Sequence, residues 1–215
     1  MKRYAVKSIF GPTIQGEGSL AGRVTAFVRF AGCNMWDGRF ETKAASACPF
    51  CDTDFVGAQR MTAIGIVHAV DALLPAGGLV TLSGGEPMLQ VDVDLVDRLA
   101  MRWRVAIETN GTREIESEIA RRAHVTCSPK RPRSDLVLEK CDDLKLLYPH
   151  PDARMAPETW QGFDASSFFL QPINARDALD FDAVAATTRK FYDLAASGAP
   201  NWRMSLQLHK VIGVP

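Results

Sequence analysis

Short apolar runs of β type alternate with amphipathic helical patterns along most of the chain, and this alternation narrows the fold more than any other feature. The β-type runs are Tyr4 to Phe10, Val24 to Phe30, Leu79 to Leu82, Val105 to Thr109, His124 to Cys127, Leu144 to Tyr148, Phe168 to Leu170 and Trp202 to Leu208. Helical patterns cover Thr62 to Leu74, Val93 to Arg102, Ile115 to Arg122 and Ala178 to Ala196, with apolar residues returning every third or fourth position. Strands that alternate with helices build parallel β/α units, so an α/β fold is expected. Periodicity accommodates both an open doubly wound sheet and a partial (β/α) barrel. The architecture expected is a single domain over residues 1–215, a partial barrel of about six parallel strands with its site at the C-terminal strand ends.

Polar and glycine-rich clusters stand where the apolar runs stop. Arg29 to Cys33 follows one strand, Ser83-Gly84-Gly85-Glu86-Pro87 a second, Glu108-Thr109-Asn110-Gly111 a third, Ser128-Pro129-Lys130 a fourth and Gln171-Pro172 a fifth. In an α/β sheet all five line one rim, where ligands gather.

The 215 residues are 47% apolar, enough for one sizeable core. Lys plus Arg number 25, as do Asp plus Glu, so the balanced charge offers no basic surface for a phosphate backbone, and no nucleic-acid partner is expected. No apolar run approaches the roughly 18 residues of a membrane span and none at the N-terminus resembles a signal peptide, so a cytoplasmic protein with no membrane partner is expected.

Five cysteines is an odd number, and three of them, Cys33, Cys48 and Cys51, crowd into nineteen positions of a chain too large to need disulfide staples. The Cys48-x-x-Cys51 pair lets two thiolates reach one metal centre from a tight turn, and Cys33 adds a third. Three ligands leave one coordination position for a substrate or cofactor, whereas structural zinc and electron-transfer clusters take four. A zinc site completed by His68 or His124 also fits this spacing. Cys127 and Cys141 lack ligand spacing to the others and read as small buried hydrophobes.

Gly16-Glu17-Gly18, Phe27 to Asn34, Cys48-Pro49-Phe50-Cys51-Asp52-Thr53 and Ser83 to Pro87 occur in an order that resembles the radical S-adenosylmethionine (SAM) superfamily. The resemblance implies a 4Fe-4S cluster on the three cysteines, with SAM chelating the fourth iron. It departs from the superfamily in one respect: residues 34–47 put fourteen residues into the first gap, an insertion in the cluster loop, where the common spacing has three. With Pro12 to Gly18, Cys-Asp-Thr and Ser-Pro-Lys added, the chain resembles the 7-carboxy-7-deazaguanine synthase family. That family converts 6-carboxy-5,6,7,8-tetrahydropterin to 7-carboxy-7-deazaguanine with loss of ammonia, a lyase-type ring contraction on the way to queuosine and other deazapurines.

Carried over residue by residue, the resemblance implies SAM contacts at Phe50, Asp52, Gly85, Glu86, Asn110, Ser128, Pro129, Lys130 and Gln171. It implies substrate contacts at Ile14, Gln15, Gly16, Glu17, Arg29, Ser83, His209 and the terminal carboxylate of Pro215, and a Mg²⁺ ligand at Thr53, whose hydroxyl is a hard oxygen donor. A pterin presents a planar edge of donors and acceptors plus a carboxylate, so Gln15 and Glu17 suit the edge and Arg29 the carboxylate. His209 is expected on the polar face of the last strand, opposite Trp202, Met204, Leu206 and Leu208. The resemblance also implies an electron donor such as a flavodoxin, and a homodimer.

Read without the resemblance, the glycine motif is an ordinary strand-to-helix turn with Asp92 or Asp94 as the next cap, and Thr53 is a cap. Two other functions compete: an enzyme that activates a glycyl-radical partner, and a zinc-stabilised binding module without catalysis. Anaerobic purification separates the cluster from zinc: the cluster reading expects a brown protein holding iron and sulfide, and loss of both on joint alanine replacement of Cys33, Cys48 and Cys51. A colourless protein holding zinc would reverse it.

Overall fold

The computed structural model describes residues 2–174, 178–199 and 201–214. Among the described residues nine strands form one open sheet: β1 (Tyr4–Ile14), β2 (Val24–Phe30), β3 (Gln59–Met61), β4 (Leu79–Gly84), β5 (Arg104–Thr109), β6 (Ala123–Cys127), β7 (Lys140–Tyr148), β8 (Asp164–Pro172) and β9 (Trp202–Met204). Their order is β3-β1-β2-β4-β5-β6-β7-β8-β9. From β2 to β9 every neighbouring pair is parallel, which makes seven parallel strands among the described residues rather than about six. The sheet does not close, as expected of a partial barrel. The alternation did not expose the antiparallel pairing of β1 with β2 and with the short β3, because period-two patterning is blind to strand direction.

Helices α1 (Phe40–Lys43), α2 (Ala63–Asp71), α3 (Val93–Ala100), α4 (Ser117–Ala120), α5 (Phe181–Ala196) and α6 (Leu208–Ile212) fill the connections. Capping sets where they begin. Thr62 accepts from Gly65 N at 3.1 Å to start α2, and Asp92 accepts from Leu95 N at 3.1 Å to start α3. Asp180 accepts from the amides of Asp182 and Ala183, so α5 starts at Phe181 rather than at Ala178. The pattern over Ile115 to Arg122 contracts to the single turn of α4.

The end of the chain corrects a larger expectation. The run Trp202 to Leu208 pairs with β8 only through Met204; after Ser205 N bonds Leu170 O, the chain leaves the sheet and turns into α6. Ser205 and Gln207 are buried while Leu206 is exposed, the reverse of the expected faces, and His209 sits on a helix.

Two apolar clusters hold the sheet. One packs Val28, Leu82 and Ile107 against Ile66 and Val70 of α2 and Leu95 and Leu99 of α3. The other packs Leu144, Leu146 and Leu170 against Leu194 of α5, with Trp160 and Trp202. Residues 34–47 form an ordered excursion, in which Trp36 lies edge-on to Phe55 with centroids 5.5 Å apart.

Leu95 is fully buried between α3 and the sheet, whereas Met101, just beyond that helix, is exposed. Leu95→Ala is expected to cost about 2–5 kcal/mol and Met101→Ala no more than about 0.5 kcal/mol, measured by urea denaturation followed by circular dichroism.

Candidate active site

The parallel strand ends open into one cavity of about 720 Å³. Its thiol end is built on the seam between β2 and β4. Phe30 pairs with Gly84, and beyond that pair Gly85 N donates to Phe30 O at 3.1 Å and Glu86 N to Gly32 O at 2.9 Å. A Cβ on Gly84, at φ 128°, would stand 2.1 Å from Phe30 O, and one on Gly85 2.0 Å from Gly32 O and 2.9 Å from Cys33 Cβ. The two glycines therefore seat the cysteine loop directly on the turn after β4.

Cys33, Cys48 and Cys51 all line the cavity. Cys51 N bonds Cys48 O at 3.0 Å, the tight turn expected of the Cys-x-x-Cys pair. Burial raises the Cys33 thiol; Cys48 is raised because it donates to Cys51, and Cys51 is lowered to about 7 by accepting that bond. Among the described residues no three His, Cys, Asp or Glu side chains stand close enough to share a single ion. His68 is exposed on α2, and His124 is bound to Ser19 and Asp143 away from the cysteines, so neither completes a zinc site. Three thiols around a shared opening are soft donors of the kind that iron–sulfur centres take.

The rim next to the thiols is cross-braced. Asn110 Nδ2 donates to Asn34 Oδ1 at 2.9 Å, tying β5 to the inserted loop. Lys130 Nζ donates to Ser128 Oγ at 2.7 Å, and Phe50 meets the His150 ring edge-on, centroids 5.1 Å apart. Phe50, Asp52, Gly85, Asn110, Ser128, Lys130 and Gln171 line the cavity; Pro129 is buried behind it. Glu86 does not line the cavity either. Its carboxylate accepts from Met88 N at 2.9 Å, Thr109 Oγ1 at 2.8 Å and Asn110 N at 2.7 Å, which makes it a brace between the glycine turn and the end of β5.

Ile14, Gln15, Glu17, Arg29 and Ser83 also line the wall, with Arg29 and Ser83 paired in register one step before Phe30 and Gly84 and the Arg29 guanidinium 5.2 Å over the Phe10 ring. Gly16 itself is not on the wall. Its carbonyl accepts from Leu208 N at 3.0 Å, and a Cβ there would lie 2.2 Å from His209 Nδ1, so its smallness seats α6 and brings His209 to the cavity. Thr53 lines the wall beside Asp52, which holds Lys210 Nζ at 2.9 Å. Pro215 lies outside the described residues.

The wall also holds Lys145, Gln207 and Lys210, which were not expected there, and Glu108, expected only as part of the strand-end rim. Lys145, with a side chain only 4% exposed, bonds both Glu17 and Glu108. Burial alone would raise the Glu17 carboxyl, yet the Lys145 charge and hydrogen bonds from Lys145 and Gln207 hold it down to about 2. Burial dominates at Glu108, which stays raised despite Lys145. Lys145 is the one charge in the run Leu144-Lys145-Leu146-Leu147, a signal that it faces something other than the core. Cys127 is fully buried, as expected, and Cys141 partly so, with its sulfur donating to Asp143 O at 3.2 Å.

Fold and site together define an α/β enzyme that joins a thiol trio to a charged pocket at the carboxyl edge of its sheet. No protein-family model matches the chain. It is 42% identical to 7-carboxy-7-deazaguanine synthase of Bordetella pertussis and 41% identical to that of Bradyrhizobium diazoefficiens, over 99% and 98% of this chain and 99% of each relative. Its fold matches the crystal structure of QueE from Escherichia coli with a TM-score of 0.69 at 22% identity, covering 96% of this chain and 95% of that one. The chain belongs to the 7-carboxy-7-deazaguanine synthase family.

Removing the brace tests its role. Glu86→Ala leaves Asn110 N and Thr109 Oγ1 without their buried acceptor, at about 1–3 kcal/mol for each group. Urea denaturation of the protein should read that loss, and Glu86→Gln, which keeps one acceptor oxygen, should lose less.

Proposed function

We propose that the cavity carries out the ring contraction of 6-carboxy-5,6,7,8-tetrahydropterin to 7-carboxy-7-deazaguanine, with loss of ammonia. The observation that carries this reading is a single cavity whose wall holds the three thiols together with Gln15, Glu17 and Arg29. Radical donor and pterin then meet in one enclosed space.

Cys33, Cys48 and Cys51 would hold a 4Fe-4S cluster, which with SAM supplies, when bound, the radical that takes a hydrogen from the substrate. The chain's own residues do the positioning. Phe50 offers an aromatic face to an adenine, the Gly85 backbone reaches the amino end of SAM, and Lys130 with Ser128 offers a cation and a hydroxyl to its carboxylate or ribose. Asp52, Asn110 and Gln171 supply further polar contacts. Pro129 fixes the turn that presents Ser128 and Lys130, and Glu86 acts through the brace described above.

For the substrate, Arg29 would pair with the carboxylate, with Ser83 beside it, while Gln15 and Glu17 read the pterin edge. Ile14 packs on the ring, and His209, which burial keeps below its ordinary pKa, presents a neutral imidazole. Thr53 would hold a Mg²⁺ that keeps several waters and orients substrate oxygens. An electron donor such as a flavodoxin, a homodimer and a cytoplasmic setting complete the reading; no helix among the described residues is long and apolar enough to cross a membrane.

The glycyl-radical alternative gains no support, because the relatives that match nearly the whole chain are 7-carboxy-7-deazaguanine synthases. Reconstituted protein incubated anaerobically with SAM, Mg²⁺, a reductant and the carboxypterin is expected to release ammonia and 7-carboxy-7-deazaguanine. Full iron and sulfide content without that product would refute the substrate assignment.

A further inference from the structure

Glu17 and Glu108 approach the same ammonium from different elements, the first from the turn after β1 and the second from β5. Every carboxylate oxygen has a partner. Lys145 takes one oxygen of each, Gln207 Nε2 donates to Glu17 Oε1 at 2.8 Å, and Gln15 Nε2 to Glu108 Oε1 at 3.2 Å. All five residues line the cavity. The group therefore faces a ligand with two carboxylates and one cation, a net charge of minus one, in a place where burial penalises ionised acids.

Two buried carboxylates this close to one another cannot both stay ionised without a cation, because like charges force one to keep its proton. A protonated carboxyl is a donor as well as an acceptor, so losing the cation would change what the wall recognises. Lys145 itself is held charged, since the two glutamates outweigh the burial that would lower it. Other groups also face the trio. Asp143 adds negative charge near Glu108 from β7, His124 of β6 is bonded to Asp143, and His209 of α6 lies near Glu17 with Lys210 and Asp52 beyond it. None of these reaches between the two glutamates as Lys145 does.

We propose that Lys145 is a positioning residue that keeps Glu17 and Glu108 a pure acceptor pair, so that the pocket selects a 2-amino-4-oxo ring edge with adjacent N–H donors and rejects its 2-oxo counterpart. This rests on the pterin reading above and names the group that enforces it. A donor-rich edge satisfies the remaining carboxylate lone pairs, whereas a 2-oxo group would place oxygen against oxygen in a desolvated site.

The test measures anaerobic binding of 6-carboxypterin and of 6-carboxylumazine, its 2-oxo counterpart, to the cluster- and SAM-loaded protein over the pH range in which the protein stays folded. The unaltered protein is expected to prefer the pterin by at least about tenfold. Lys145→Met is expected to cut that preference to under about threefold at the acid end and to regain it as pH rises and the shared proton leaves. Lys145→Arg should keep the preference. If Lys145→Met does not fold, Lys145→Met with Glu108→Gln restores the charge balance, and the amide donor in the wall should abolish the preference.

An undiminished, pH-independent preference in the methionine or double variant would overturn the proposal. So would an equal loss of affinity for both ligands, which would mark Lys145 as merely structural. An unaltered protein with full iron and sulfide that binds neither ligand would overturn the pterin reading and this proposal together. Binding by the unaltered protein with no effect of the variants would overturn the proposal alone.

Discussion

The site depends on the seam where the backbone of Gly84 and Gly85 lies against Phe30 to Gly32. That contact admits no side chain, and through it the cysteine loop is mounted on the strand end rather than hung from a free loop. Glu86 continues the seam sideways by gripping the end of β5. Three strands are thereby joined at one edge, and Cys33 takes its position from the backbone hydrogen bonds of that seam.

Across the cavity the logic is electrostatic. Buried carboxylates are tolerated there because an ammonium sits between them, and the polar wall is one connected network running from Gln15 through Glu108, Lys145 and Glu17 to Gln207. One cavity thus combines two kinds of group: soft thiol donors, and hard directional acceptors held around a cation.

Much of this could be read from the chain. The β/α alternation gave the parallel sheet, and the polar clusters at strand ends gave the rim, because both follow from local periodicity. The cysteines and Ser83 to Pro87 were legible as a set, since their order along the chain carries more information than any one spacing. What stayed hidden required knowledge of neighbours. Lys145 is one charge in an apolar strand until Glu17 and Glu108 are placed beside it. Glu86 looked like a ligand contact, and only the positions of Thr109 and Asn110 reveal it as a brace. Gln207 and His209 were assigned to a strand because Trp202 to Leu208 alternates faithfully, although Ser205 has already left the ladder with a bond to Leu170.

Gly16 has a further consequence for how the molecule is assembled. Its contacts with Leu208 and His209, and the bond from Gln207 to Glu17 across 190 positions, join the first strand's exit to the last helix. Holding such distant partners together carries a loop-closure entropy cost, which the packed sheet between them offsets. The polar wall is therefore complete only when both ends of the chain are in place, so it draws on the whole sheet rather than on any local segment.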